Sequence, residues 1–449
     1  MKRIWPWLGC VLGVCSLTQL QSAEPVSFRK DIAPILQDAC IACHGPKKAE
    51  GGYRVDSYER AVKAGDSGTD AFAAGKLDDS EAFRRMTSTD ADERMPLEAD
   101  PLPAEQIALF KRWLEEGAKF DGSSPTADLV TIIPAPTHPE PPASYPFAVP
   151  VTAVAFSLDG EKLFVGGYHE LTVWNVTDGT LVQRIKNVGQ RSYALAVSPD
   201  GSLIAVGCGA PGRLGETRVF ATNTGELKSV VGSTGDVVLD VAFSPAGDRL
   251  AVGAADGIVR VFDVSSGNEA LNLSSHSDWV TAVAWNADGT RLGTASRDKT
   301  AKVFDSKTGE LVVTYSGHGQ PVRGIAFHPE GKEAYSSGGD NKIHRWQLAD
   351  AKKTAEIGFG GEVYKLVCDS ESLVAGSADK TVRQFQAKTH SQVRQYPGHA
   401  DWVLSVAYSL KAKRIASGAF DGVVRVWNAE DGKAVSTFLA APGLTASKP

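Results

Sequence analysis

Asp421-Gly422-Val423-Val424-Arg425-Val426-Trp427 is a tight-turn pair followed by an alternating apolar run that closes on an aromatic. Alternation with period two reads as a strand. The figure recurs upstream, as in Val259-Arg260-Val261-Phe262. Trp174, Phe220, Phe262, Phe304, Trp346, Phe385 and Trp427 stand 46, 42, 42, 42, 39 and 42 residues apart. Turn signals separate further strand-like runs, at Asp159-Gly160, Pro199-Asp200-Gly201, Asp288-Gly289, Thr308-Gly309 and Asp431-Gly432. Four short strands per period of ~40 residues predict a propeller blade. Seven repeats over 151–440 therefore predict an all-β, seven-bladed propeller, with 441–449 left as a tail. The last repeat carries its own fourth strand, Ala434 to Leu439, so closure need not borrow one from the N-terminal side.

The repeats resemble WD repeats, whose fingerprint is a Gly-His pair, an Asp in a tight turn and a Trp on the third strand. Gly317-His318, Asp340 and Trp346 fit, as do Gly398-His399, Asp421 and Trp427. Ser275-His276, Asp298 and Phe304 fit with Ser for Gly; in all three, His to Asp is 22 residues and Asp to aromatic is 6. The resemblance implies a buried chain of hydrogen bonds from Asp to His to a strand hydroxyl to the indole, so these groups are structural. Asp256 and Asp379 keep the turn without the His. The first two repeats are degenerate, with Tyr168 at the Asp position and an insertion at 210–215. Asp278-Trp279 and Asp401-Trp402 follow the structural His in two repeats, on a loop where partners of such propellers dock. Trp is a favoured hot-spot residue, so these four are docking candidates; burial of both Trp between blades is the alternative.

Upstream, 121–150 holds eight prolines in 30 residues and reads as an extended, semi-rigid linker. Within it, 128–133 is apolar enough to dock on a neighbour, and His138 reads as a solvent-exposed loop residue.

Before the linker lies Cys40-Ile41-Ala42-Cys43-His44. C-x-x-C-H is the attachment pattern of c-type haem. Two thiols on one turn reach the two vinyl groups of one porphyrin, and the His becomes the proximal iron ligand. A structural zinc site would need two more Cys or His nearby, and between Glu24 and Thr137 there are none. A thioredoxin-like pair would need a βαβ pattern, and none is visible. One covalent haem c is the expected cofactor. Met86 and Met95 are the only Met after the leader. Met95, followed by Pro96, is the expected distal ligand, with gap-filling against the porphyrin edge as its alternative. Met86, in a helical context, reads as core. Arg54 is a candidate for a haem propionate, or else a solvated Arg.

Residues 24–120 predict a small all-α domain. Phe28, Ile32, Ile35 and Leu36 recur at helical spacing, with Pro34 kinking the helix or resetting its start. Ile107, Phe110, Trp113, Leu114 and Ala118 mark a closing helix, with Gly117 as terminator. An N-terminal helix bearing the haem motif and a crossing C-terminal helix resemble a class I cytochrome c. The likeness is closer still to the planctomycete-type cytochrome c domain. Asp31 to Leu36, Cys40 to Gly45, Gly51 to Ser57, Met95-Pro96 and Leu109 to Ala118 carry it, departing at Tyr53, Leu97 and Leu114.

Residues 1–23 read as an export signal: Lys2-Arg3, an apolar stretch from Ile4 to Leu17, then Ser22-Ala23. An uncleaved N-terminal anchor is the alternative, and lipidation at Cys15 a poorer one. No later apolar run is long enough to span a bilayer. Cys208 and Cys368, in different repeats, read as free thiols. The chain has 449 residues and net charge −6, which advertises no nucleic acid. Residues 24–120 hold 14 basic and 19 acidic groups, a charge that steers toward basic partner faces.

Together these readings predict a periplasmic or otherwise exported mono-haem cytochrome, an electron carrier rather than a catalyst. Its redox partner is a protein, and the propeller is the docking scaffold. A propeller-linked oxidoreductase using the haem as electron exit, or a haem-based sensor, are the alternatives, both by analogy of fold.

Overall fold

The structure is a computed structural model. It describes residues 24–444 apart from 47, 98, 123, 135 and 136. The predicted leader at 1–23 and the last five residues of the tail lie outside the described residues. The chain divides into two compact units, 1–134 and 135–449, so the boundary falls inside the Pro-rich segment. No helix of the described residues is long and apolar enough to cross a membrane.

The first unit is built from short helices. Phe28–Ile32 forms a wide π turn capped by the Ser27 hydroxyl, and α1 (Ala33–Ala39) restarts with Pro34 in its first turn. A ring without an N–H is tolerated there and nowhere deeper. Pro34 thus resets the helix, one of the two outcomes its position allowed. Next come α2 (Tyr58–Val62), α3 (Glu81–Met86), α4 (Ala104–Glu115) and α5 (Leu129–Ile132). Gly117 ends α4 with φ +96°, a backbone state that L side chains avoid. Phe28, Phe72, Phe110 and Trp113 form the centre of one core. The Phe72 and Phe110 rings stack at 5.4 Å, and the Trp113 indole donates to Lys119 O at 3.0 Å. The apolar piece of the Pro-rich segment docks here: Leu129 and Ile132 are buried in this core. The backbone amide of Leu129 donates to Asp56 O at 2.9 Å.

The second unit is antiparallel throughout. Its described strands form one seven-stranded sheet and five four-stranded sheets. In the seven-stranded sheet the strand Leu181–Val197 runs for 17 residues. Its first part pairs with Tyr168–Asn175 and its last part with Leu203–Ala210. Each of the other five sheets is one repeat, for example Val403–Ser409, Arg414–Ala419, Val423–Asn428 and Ala434–Leu439. The second and third strands of a repeat are the most buried, and the fourth is wetter, as Arg291–Ser296 against Leu311–Tyr315 illustrates. Neighbouring sheets are cross-bonded. Val283 N–H donates to Asp240 Oδ2 at 3.0 Å, and the Trp285 indole donates to Ala242 O at 3.0 Å. The last sheet meets the first: Val151 N–H donates to Ala419 O, and Ser436 Oγ to Val176 O at 2.7 Å. Val151, Val154 and Trp174 share a core with Ala416, Val424 and Val426.

Residues 137–146 lie along this unit rather than in open solvent. His138, expected to be exposed, instead has its side chain buried against Glu216, itself paired with the fully buried Arg218. The Tyr145 hydroxyl donates to buried Glu170 at 2.7 Å, and Arg184 donates to Glu170 and to Pro142 O. Two buried carboxylates in the degenerate repeats thus recruit groups from the Pro-rich segment and from adjacent strands.

Candidate functional site

The haem-motif residues lie on a turn that follows α1. The amides of Cys43 and His44 both donate to Cys40 O, at 3.2 and 2.9 Å, which keeps 40–44 on a single helical turn. His44 is then tied down by Val55 N–H donating to its carbonyl at 2.8 Å. Its ring sits 5.3 Å from that of Tyr53, whose hydroxyl donates to Ala61 O at 2.7 Å. Both cysteines are free thiols. Burial, with the neighbouring Cys43 as second cause, pushes the Cys40 thiol up to about 12. A Cys40 thiol raised in this way is the reverse of the acidified thiolate that disulfide exchange requires, although Cys43 beside it is exposed. Among the described residues no third ligand type gathers around the pair as a zinc site would need.

Beside this turn is a cavity of about 510 Å³. Cofactor and ligand sites run to roughly 300–1,000 Å³. Cys40, His44, Tyr53, Phe72, Met86 and Met95 are among its lining. The Gly51–Gly52 pair, at φ +61° and +63°, brings backbone to its edge. A Cβ at Gly65 would stand 2.6 Å from the Gly51 carbonyl oxygen, so glycine at 65 lets this loop close on the Gly51–Gly52 turn.

These residues fit a haem. The cavity is chiefly apolar and carries a His, a thiol and two thioethers, the donor set of cytochrome iron. His44 Nδ1 is buried and without a hydrogen-bond partner, an unfinished state for an imidazole in a closed core.

Both methionines line the cavity. Met86 closes α3 and is also buried in the core, whereas Met95 is half-buried, with its amide on Arg85 O at 3.1 Å. Arg54 requires a correction. Its Nε and Nη2 donate to Asp56 at 2.8 and 2.7 Å, and it is absent from the cavity lining. Asp56 is buried and is also bonded by Arg60. Burial works against its charge, but the two guanidinium partners prevail and hold the carboxyl below the usual range. Arg85 is the guanidinium that does line the cavity, held by Glu81 at 2.7 Å. Sequence reasoning passed over it because nothing in its spacing separates it from a surface helix charge.

The two docking candidates are exposed. Trp279 is 38 % accessible and Trp402 46 %, so burial of both between sheets is not what the fold does with them. Arg297 covers the Trp279 ring at 4.5 Å and also donates to Asp278 at 3.0 Å. Trp402 sits 5.8 Å from the exposed Phe420 ring and 6.2 Å from Tyr364, while Asp401 accepts from the Trp402 amide.

The implied hydrogen-bond chain is complete in the repeat of His318. That ring bridges Asp340 at 2.9 Å and Ser336 Oγ at 2.8 Å, and the Trp346 indole donates to the same Ser336 at 3.1 Å. His276 likewise bridges Asp298 at 2.8 Å and Thr294 Oγ1 at 2.7 Å, and the chain stops there because Phe304 has no indole N–H to add. The repeat of His399 departs. Its Nε2 meets Ser417 Oγ at 2.6 Å, but Nδ1 is buried without a hydrogen-bond partner and Asp421 turns to the Val423 amide.

Fold and site together define a cytochrome c-like domain joined to a WD-repeat, protein-interaction scaffold. Residues 40–98 match the family model described as Planctomycete cytochrome C. Residues 212–288 match the anaphase-promoting complex subunit 4 WD40 domain, and 309–347 and 390–428 match the WD domain, G-beta repeat. No curated protein matches the chain.

Proposed function

We propose that the protein is an exported mono-haem c-type cytochrome that passes single electrons, with its β unit as the docking scaffold. The observation that carries this reading is the shared cavity of Cys40, His44, Met86 and Met95. Cys40 and Cys43 would hold the haem by thioether bonds, His44 would be the proximal ligand and Met95 the distal one. When bound, haem c supplies a one-electron iron couple. Leu36, Tyr53, Val55 and Phe72 would keep water from that couple, and thioether ligation would raise its potential and leave no open coordination position. The acidic surface of this unit favours a basic redox partner. A seven-bladed scaffold would have the 17-residue strand Leu181–Val197 serve two blades in turn beside the five four-stranded sheets, a reading its pairing with both neighbours supports.

Expression with c-type maturation tests this. Haem should survive denaturation in the parent, and Cys40→Ser with Cys43→Ser should yield colourless protein. The weak red-end band of ferric Met ligation should vanish in Met95→Ala and persist in Met86→Ala. The opposite pattern would transfer the ligand to Met86, which lines the same cavity. Carbon monoxide binding by the unmutated protein would sink the carrier assignment in favour of a sensor or catalyst.

A further inference from the structure

Four residues after the turn Asp, the WD repeats of this chain carry a cation: Arg260, Lys302, Arg383 and Arg425. In two of them the guanidinium lies on that Asp, Arg260 on Asp256 at 2.8 Å and Arg383 on Asp379 at 2.7 Å. The repeat of Asp340 puts His344 there instead. Its ring stacks on His318, with centroids 4.1 Å apart and planes 11° apart. His318 and His344 are both buried.

The exchange leaves two buried polar atoms without a hydrogen-bond partner. Asp340 gives Oδ2 to His318, and its Oδ1 is buried with no hydrogen-bond partner. His344 Nδ1 meets the Tyr315 hydroxyl at 2.8 Å, and its Nε2 is buried with no hydrogen-bond partner. One ligand atom each of His318, Asp340 and His344 lies within 4.8 Å of the others. In a tetrahedral zinc shell, ligand atoms ~2.0–2.2 Å from the metal stand roughly 3.3–3.6 Å apart, so the three side chains must close by about 1 Å and the two stacked rings must turn out of parallel to aim at one ion.

We propose that His318, Asp340 and His344 bind a divalent transition ion of the zinc type, which takes the place of the cation found in the sibling repeats. Two imidazoles and a carboxylate suit such an ion and not calcium or magnesium. Tyr315 orients His344 through the nitrogen that does not ligate, and Ser336 does the same for His318. The proton that His318 Nδ1 shares with Asp340 leaves to solvent when Nδ1 takes the metal. Glu356 Oε2 stands 3.8 Å from His344 Nε2, and Lys342 and Lys353 hold it. The site is independent of the haem assignment.

The test is equilibrium dialysis of chelator-washed, full-length, haem-loaded protein against Zn²⁺, with bound metal counted by mass spectrometry. The parent should hold one equivalent more than His344→Arg, a variant that restores the residue type of the sibling repeats and should fold. Should His344→Arg misfold, His344→Gln replaces it in the same comparison. Tyr315→Phe should weaken zinc binding by ~10–100-fold. Equal zinc content in parent and folded His344 variants would overturn the proposal. So would a parent that takes up no zinc at micromolar levels, in which case a buried water satisfies the two atoms.

Discussion

His399 should make the β unit acid-sensitive, and the effect can be isolated. Burial, with Arg425 as second cause, takes this ring from an ordinary 6.5 to about 4. In the unfolded chain it titrates near ~6.5. Between those two values the unfolded state holds a proton that the folded state lacks, so stability rises with pH across the window. The contribution is complete above pH ~6.5 and is lost as pH falls toward ~4. At about 1.36 kcal/mol per pH unit, the ceiling is ~3 kcal/mol. Urea unfolding followed by Trp fluorescence reads the right unit, because Trp174, Trp279, Trp285, Trp346, Trp402 and Trp427 all lie in it. The Trp427 ring is 5.9 Å from His399. His399→Gln removes the titrating group and keeps an acceptor for Ser417, so its stability should fall less steeply from about pH 7.5 to about pH 4. The difference accumulated between the two curves should approach ~3 kcal/mol. Parallel curves for parent and variant would refute the argument.

Met86→Ala should lower the stability of the haem unit by ~2–5 kcal/mol in denaturant unfolding, since it empties a core position. Met95→Ala, half-buried, should lose less than ~1 kcal/mol from packing, so a larger loss in the haem-loaded protein would report the iron bond proposed for it. Asp56→Ala removes the buried partner of the half-exposed Arg54 and Arg60 and should cost about 1–3 kcal/mol, whereas a loss under ~0.5 kcal/mol would mean the trio is a solvated surface network. Trp279→Ala and Trp402→Ala should leave the melting temperature nearly unchanged and reduce recovery of protein partners in pull-downs. Unchanged recovery from folded variants would remove this loop from the docking surface.

The haem motif, the repeat period and the resemblance to both families are properties of order along the chain, and the amino-acid sequence is enough to read them. Spacing of Cys40, Cys43 and His44 is a local constraint, set within one helical turn, and the repeat aromatics are set by strand alternation. Pro34 marks the limit of local reading. The ring forbids a helix interior but permits either a kink or a fresh start, and only the packing of Phe28 and Ile32 against Trp113 selects the fresh start. Met86 and Met95 likewise differ little in sequence, and the fold sets both on one cavity while burying only Met86 in the core.

Side-chain partners distant in sequence are decided by tertiary structure alone. Arg54 could have met a haem propionate or stayed in solvent, and in the fold it donates to Asp56 instead. His138 is drawn inward by Glu216, 78 residues away, because a buried carboxylate must find donors wherever the fold supplies them. Trp279 and Trp402 are large apolar residues that could equally have packed between sheets, and it is the loop's outward position that leaves them wet. His344 stands in plain sight as the odd residue among Arg and Lys, but its meaning depends on the unpartnered Asp340 oxygen beside it. Sequence determines which groups are carried and with what period. Which of them meet depends on loops closing over tens of residues, and that is settled only when the sheets and helices pack.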